Sequence, residues 1–131
     1  MSVRIASCSC GKLKAEVEGA PVRVSICHCL ACQRRTGSAF GEQARFSRKQ
    51  VTISGTSTEY VRICDEGTEI KFHFCPVCGS TVYYTSEGLD EFIAIPVGAF
   101  ADPSFPVPAF SVYEGRMRSW VIPPEDAEHF R

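Results

Sequence analysis

Seven of the eight cysteines in this 131-residue chain fall into three tight groups, and only Cys64 stands alone. The groups are Cys8-Ser9-Cys10-Gly11, Cys27-His28-Cys29-Leu30-Ala31-Cys32 and Cys75-Pro76-Val77-Cys78-Gly79. Thiolates are soft ligands that suit zinc, and short cysteine pairs far apart in sequence bring two turns together around a tetrahedral ion. Any fold open to this chain must therefore bring at least two of the groups into contact. Two pairs make one closed tetrahedral site. The three cysteines left over make a site with a coordination position free, and a free position is where zinc does chemistry.

Cys75-Pro76-Val77-Cys78-Gly79 has the form of a zinc knuckle. Proline fixes its first turn, and glycine after the second cysteine accepts positive φ so that backbone N–H groups can face the sulfurs. The expected partner is Cys8-x-Cys10-Gly11. Residues i and i+2 of a regular strand lie too far apart for one edge of a tetrahedron, so the chain must bend there, and Gly11 supplies the bend. Cys8, Cys10, Cys75 and Cys78 are thus expected to hold a structural zinc.

Cys27, Cys29 and Cys32 follow an apolar strand signal and enter a short helical one. Zinc on three thiolates carries an overall negative charge and is a weak Lewis acid. It is poor at generating hydroxide but suited to an incoming soft ligand such as a substrate thiol, which it would hold as a nucleophilic thiolate. These three cysteines are the expected catalytic zinc ligands, and their zinc is expected to be the more readily removed of two per chain. One alternative is that His28 or Cys64 completes four ligands and makes a second structural site. Against His28, a residue between two ligands in extended backbone points away from the metal. His73, alternating with the apolar face of its strand, reads as an exposed or hydrogen-bonded residue, and His129 lies in a polar tail.

Length allows one domain, residues 1–131, with a core over about 5–122 and a C-terminal tail at 123–131. Apolar residues make up 44% and charged residues 22%, the balance of an ordinary soluble globular protein, and a net charge of −1 gives no electrostatic case for nucleic acid. Met1 to Cys8 contains no apolar run of signal-peptide length, and no later stretch could span a bilayer. The expected location is cytoplasmic, where thiols stay reduced and clustered cysteines favour metal over disulfides.

Most of the chain alternates with the period of strands. Leu13, Ala15 and Val17 alternate with charged residues, and Gly19-Ala20-Pro21 separates them from Val22, Val24 and Ile26. Val51 and Ile53 mark a strand, and Val61 to Ile63, Asp65-Glu66-Gly67 and Ile70 to Phe74 mark a hairpin that delivers Cys75. Thr81 to Thr85 and Phe92 to Val97 read as strands, the second too continuously apolar to be half exposed. The proline-rich stretch Asp102 to Pro108 must be a surface loop. Phe110 to Tyr113, a turn at Glu114-Gly115 and Met117 to Val121 suggest a last hairpin. Helix is confined to Leu30 to Arg35 and the tail from Glu125 to Phe130. The expected fold class is mainly β, a single domain of short antiparallel strands.

The order C-x-C-G, C-H-C-x-x-C, F-C-x-x-C-G, at Cys8 to Gly11, Cys27 to Cys32 and Phe74 to Gly79, resembles that of the glutathione-dependent formaldehyde-activating enzyme family, also named for its centromere protein V domain. Gln33 to Phe40 looks like the family's stretch after the second motif, and Asp102-Pro103, Pro106 and Trp120 sit where the family tends to place such residues. The resemblance implies a β-tent, or Mss4-like, fold. It also implies a structural zinc on Cys8, Cys10, Cys75 and Cys78, and a catalytic zinc on Cys27, Cys29 and Cys32. The implied activity is condensation of glutathione with formaldehyde to S-(hydroxymethyl)glutathione, in reverse a carbon–sulfur lyase reaction. The implied partner is a small-molecule thiol such as glutathione, with Arg34 and Arg35 as candidate contacts to its carboxylates. Two positions depart from the family's habit. Lys71 is displaced from the position before Phe74-Cys75, and Ala109 stands where many members have histidine, so fewer basic contacts to a dicarboxylate tripeptide are expected.

A zinc-stabilised, non-catalytic binding module is the alternative from a different class. A zinc deaminase is excluded, because that chemistry needs H-x-E paired with P-C-x-x-C, and the knuckle holds the chain's only P-x-C-like element.

Overall fold

The computed structural model describes residues 2–131. Eleven strands and one short α-helix follow in the order β1 (Val3–Ser7), β2 (Lys14–Glu18), β3 (Arg23–Cys27), α1 (Leu30–Thr36), β4 (Gly41–Ser47), β5 (Val51–Ser54), β6 (Thr58–Ile63), β7 (Glu69–Phe74), β8 (Thr81–Ser86), β9 (Phe92–Pro96), β10 (Phe110–Val112) and β11 (Glu128–His129). They form a three-stranded sheet, β1-β2-β5, and an eight-stranded sheet, β11-β10-β3-β4-β9-β8-β7-β6. The fold is mainly β, as the alternation predicts.

The two faces of the large sheet have different jobs. On one, Val24, Ala44, Phe46, Ile93 and Ile95 pack against Ala6, Ala15 and Val17 of the small sheet, and all are buried. Period-two alternation sends the intervening residues of the same strands to the opposite face. There Arg23, Ser25 and Cys27 of β3 lie directly across from Arg45, Gln43 and Gly41 of β4. Residues of β7, β8 and β9 continue that face, which curves into a cleft. One sheet thus separates the core from the site.

Four sequence expectations need correction. Phe92 to Val97 is not buried on both faces: Ile93 and Ile95 enter the core, but Phe92 and Ala94 line the cleft, an apolar surface that alternation alone does not distinguish from core. Met117 to Val121 is not a strand and makes no hairpin. Tyr113 adopts a left-handed conformation, a 3-10 turn occupies Glu114–Arg116, and a further turn closes from the Val121 N–H to the Arg118 carbonyl. The tail from Glu125 to Phe130 is not helical. Its Glu128 and Phe130 N–H groups donate to the Ala109 and Ser111 carbonyls, covering backbone that would otherwise be an open edge. Finally, the strands are not all antiparallel, since β10 runs parallel to both β3 and β11.

Phe46 and Phe92 belong to neighbouring strands but opposite faces, Phe46 fully buried and Phe92 half-buried. Phe46→Ala should cost about 3–5 kcal/mol in urea unfolding, and Phe92→Ala markedly less. Equal costs would contradict the division of the sheet into a core face and a cleft face.

Candidate metal centres and cleft

The turn after β1 and the turn between β7 and β8 meet at the edge of the core, where the sulfurs of Cys8, Cys10, Cys75 and Cys78 all lie within 4.8 Å of one another. Cys8 and Cys10 Sγ are 3.7 Å apart, and Cys10 and Cys75 Sγ are 3.6 Å apart. Sulfurs at the corners of a tetrahedron around zinc, each about 2.3 Å from it, stand roughly 3.8 Å apart, so the four fit the ion. Gly11 and Gly79 both take positive φ, 83° and 81°, and close the two turns by donating N–H to the Cys8 and Cys75 carbonyls. Backbone N–H groups also face the sulfurs, from Leu13 to Cys8 at 3.2 Å and from Val77 to Cys75 at 3.4 Å. The Ser80 N–H draws Cys78 down to about 5, which favours the thiolate form that a metal needs.

On the cleft face a second set gathers. Cys27 ends β3, Cys29 caps α1 with its sulfur accepting the Cys32 N–H at 3.3 Å, and Cys32 lies in the first turn of that helix. Their sulfurs also lie within 4.8 Å of one another. Donation from the Cys27 and Cys32 thiols draws Cys29 down to about 2, while the same contact drives Cys27 far above the ordinary thiol range. The three sulfurs thus share their protons unequally, and a soft dication suits that donor set.

Neither candidate fourth ligand joins this set. His28 is fully buried and turned away. Its Nε2 lies 2.9 Å from Ser111 Oγ, and its ring meets Phe40 edge-on. Cys64 lines the cleft as a free thiol outside the cluster. His73 is hydrogen-bonded as its position predicts, with Nδ1 3.0 Å from Ser57 Oγ and its ring stacked on Tyr83. His129 pairs with Glu114 at 2.6 Å in the tail.

The cleft has a volume of about 740 Å³, with the three cysteines on its wall. Arg35 lines it, held over the rings of Phe72 and Tyr84 at 5.3 Å. Arg34 does not; it is exposed and lines a separate hollow with Leu30 and Trp120. Gly41 leaves the room that Cys32 and Arg35 share. A Cβ there would stand 3.3 Å from Cys32 Cβ and 3.1 Å from Arg35 Nη2. Four further arginines, Arg23, Arg45, Arg62 and Arg116, also reach the cleft. Sequence reasoning sought basic contacts beside the cysteine motifs and missed these. The available signal was parity, because Arg23 lies an even number of residues before Cys27 and so shares its face. Lys71 is exposed between Ile70 and Phe72, which both line the cleft, and Ala109 is exposed in the loop before β10.

The two clusters should separate by mutation. Loss of a structural zinc removes folding free energy of order ~10 kcal/mol in small domains, so Cys75→Ala should be unfolded or insoluble. Cys29→Ala should melt cooperatively and retain one zinc of two. A soluble Cys75→Ala protein that keeps two zincs would contradict the assignment of the clusters.

Comparison with known proteins agrees with this arrangement. No curated protein matches the chain in sequence. The crystal structure of a Rhodobacter sphaeroides protein superposes with a TM-score of 0.58 at 22% identity, covering 76% of this chain and 91% of that one, a likeness of fold. The profile described as glutathione-dependent formaldehyde-activating enzyme matches residues 3–116, from β1 through the turn after β10. All seven clustered cysteines lie within that match, and the chain belongs to the glutathione-dependent formaldehyde-activating enzyme family.

Proposed function

We propose that the chain is a zinc-dependent carbon–sulfur lyase, which joins a small thiol such as glutathione to an aldehyde such as formaldehyde and reverses that step. The observation that carries this reading is the gathering of Cys27, Cys29 and Cys32 on the wall of a cleft, with neither His28 nor Cys64 in the set. A zinc ion held by the three cysteines would supply a soft Lewis-acid position at which a substrate thiol is held deprotonated.

The chain's own residues supply the rest. The end of β3 and the start of α1 fix the three sulfurs at one wall of the cleft. Arg35, beside Cys32 across Gly41, supplies a positive charge near the sulfurs that would stabilise the carbonyl oxygen as it gains negative charge. Phe72 and Tyr84, whose ring centroids lie 4.9 Å apart, flank that guanidinium together from one side. In the direction of synthesis the substrate sulfur bonds to the carbonyl carbon and the C=O π pair becomes a lone pair on oxygen. That oxygen then takes a proton equivalent to the one the thiol released. The lyase direction breaks the same C–S bond and restores the thiol. Of the two arginines expected to contact the substrate, Arg34 lies in a separate hollow and only Arg35 lines this cleft.

Exchange NMR of formaldehyde, glutathione and their adduct tests the proposal. Zinc-loaded protein should accelerate the exchange above the protein-free rate, and Cys29→Ser should abolish the acceleration. Arg35→Gln should lower it about ten- to a hundred-fold, the value of one hydrogen bond to a charged group. No acceleration by the loaded protein with any small thiol would overturn the lyase and favour a non-catalytic binding module.

A further inference from the structure

Arg23 and Arg45 face each other directly across β3 and β4, on the face that bears Cys27. Like charges in that position destabilise a sheet, and a chain that keeps them needs an opposing charge. None is provided. The ion pairs among the described residues are Arg4–Asp102, His73–Glu59 and His129–Glu114, and none includes a cleft arginine. Glu128 lies near enough to act on Arg23 through space without pairing with it, and Asp65 and Glu66 line the cleft beside Cys64. Each guanidinium of the pair instead lies over a ring, Arg23 over Phe110 at 4.1 Å and Arg45 over Phe92 at 5.4 Å. Stacking of this kind fixes the plane of the guanidinium and leaves its edge N–H groups free for a bidentate acceptor.

Two buried polar atoms in the same cleft point to the same missing partner. Ser25 Oγ, 2.8 Å from Gln43 Nε2, fixes the Gln43 amide between the arginine pair and Cys27, yet Gln43 Oε1 has no hydrogen-bond partner. Arg62 Nε, on the far side of the cleft, is likewise buried and unpartnered. Buried groups of this kind cost free energy unless a ligand satisfies them.

We propose that Arg23 and Arg45, with Gln43, form a subsite that binds a carboxylate-bearing arm of the thiol substrate and so sets the enzyme's preference for acidic thiols. The inference rests on the thiol reading of the three-cysteine site and adds to it the residues that choose among thiols. The dimensions fit. Four residue steps along β3 lead from Arg23 to Cys27, about 13 Å between Cα atoms. The thiol of a tripeptide such as glutathione is on its central residue, so the carboxylate reaches the pair along one arm of about 7 Å, and the arginine side chain covers the difference. Gln43 Oε1 then accepts an N–H from the middle of such a ligand. The family-based expectation of few basic contacts looked beside Phe74 and at position 109, whereas the cation pair lies on β3 and β4.

Calorimetry on the zinc-loaded full chain tests this with two probes. S-methylglutathione has both carboxylates and no free thiol, and mercaptoethanol has a thiol and no carboxylate. The wild type should bind S-methylglutathione with an affinity that falls as salt is raised. Arg23→Gln and Arg45→Gln should each weaken that binding about ten-fold or more and leave mercaptoethanol binding unchanged. Both variants should also melt no lower than the wild type, because each removes a like-charge opposition. Unchanged affinity in the variants, or no binding of S-methylglutathione by the wild type, overturns the subsite while leaving the thiol reading standing. A lower melting temperature in both variants assigns the pair to the fold and also overturns it. Failure of mercaptoethanol to bind the wild type counts against the thiol reading alone, since S-methylglutathione still reports on the arginines.

Discussion

The sulfur joint at Cys8, Cys10, Cys75 and Cys78 is the constraint from which the rest of the architecture follows. It connects the turn after β1, in the small sheet, to the turn between β7 and β8, far along the large one. Cys8 and Cys75 belong to the same buried cluster as the residues that fill the core, among them Leu13, Val17, Phe46 and Ile95. A domain of this size buries a modest core, and a metal ion held by these four sulfurs would add folding free energy that the apolar contacts need not supply. With the two sheets joined at this edge, the large sheet can leave its other face open to a cleft.

The open face derives its order from register. Cys27 lies opposite Gly41, Ser25 opposite Gln43, and Arg23 opposite Arg45, so chemistry changes from sulfur to amide to cation along one pair of strands. Gly41 is part of that order, because any side chain there would displace both Cys32 and Arg35. The helix α1 completes the sulfur end: its first turn is capped by the Cys29 sulfur, and its last turn carries Arg35, where a cation also complements the helix dipole. Positions in the cleft are thus set by strands and a capped helix, elements that hold side chains more rigidly than loops do.

Much of this was legible in the sequence because cysteine spacing and alternation are local signals. The grouping of the cysteines, the turning away of His28 and the β6–β7 hairpin that delivers Cys75 are all short-range consequences of strand parity and turn residues. The arginine pair was not legible, since it exists only once β3 and β4 are in register. β4 itself was hard to recognise: its core face offers only Ala44 and Phe46 as apolar residues, against Glu42, Gln43 and Arg45. The C-terminal segment misled for a related reason. Glu125 to Phe130 has no strand signature of its own, and it becomes a strand because β10 offers backbone groups that need partners.

Zinc-edge X-ray absorption on the fully loaded protein tests the central claim, a closed four-sulfur site beside an open three-sulfur one, most directly. The account predicts two zincs per chain with an average of about three and a half sulfurs each, rising to four when excess mercaptoethanol is added. Four sulfurs per zinc before any thiol is added, or imidazole scattering from a histidine ligand, would show the second site to be closed and contradict it.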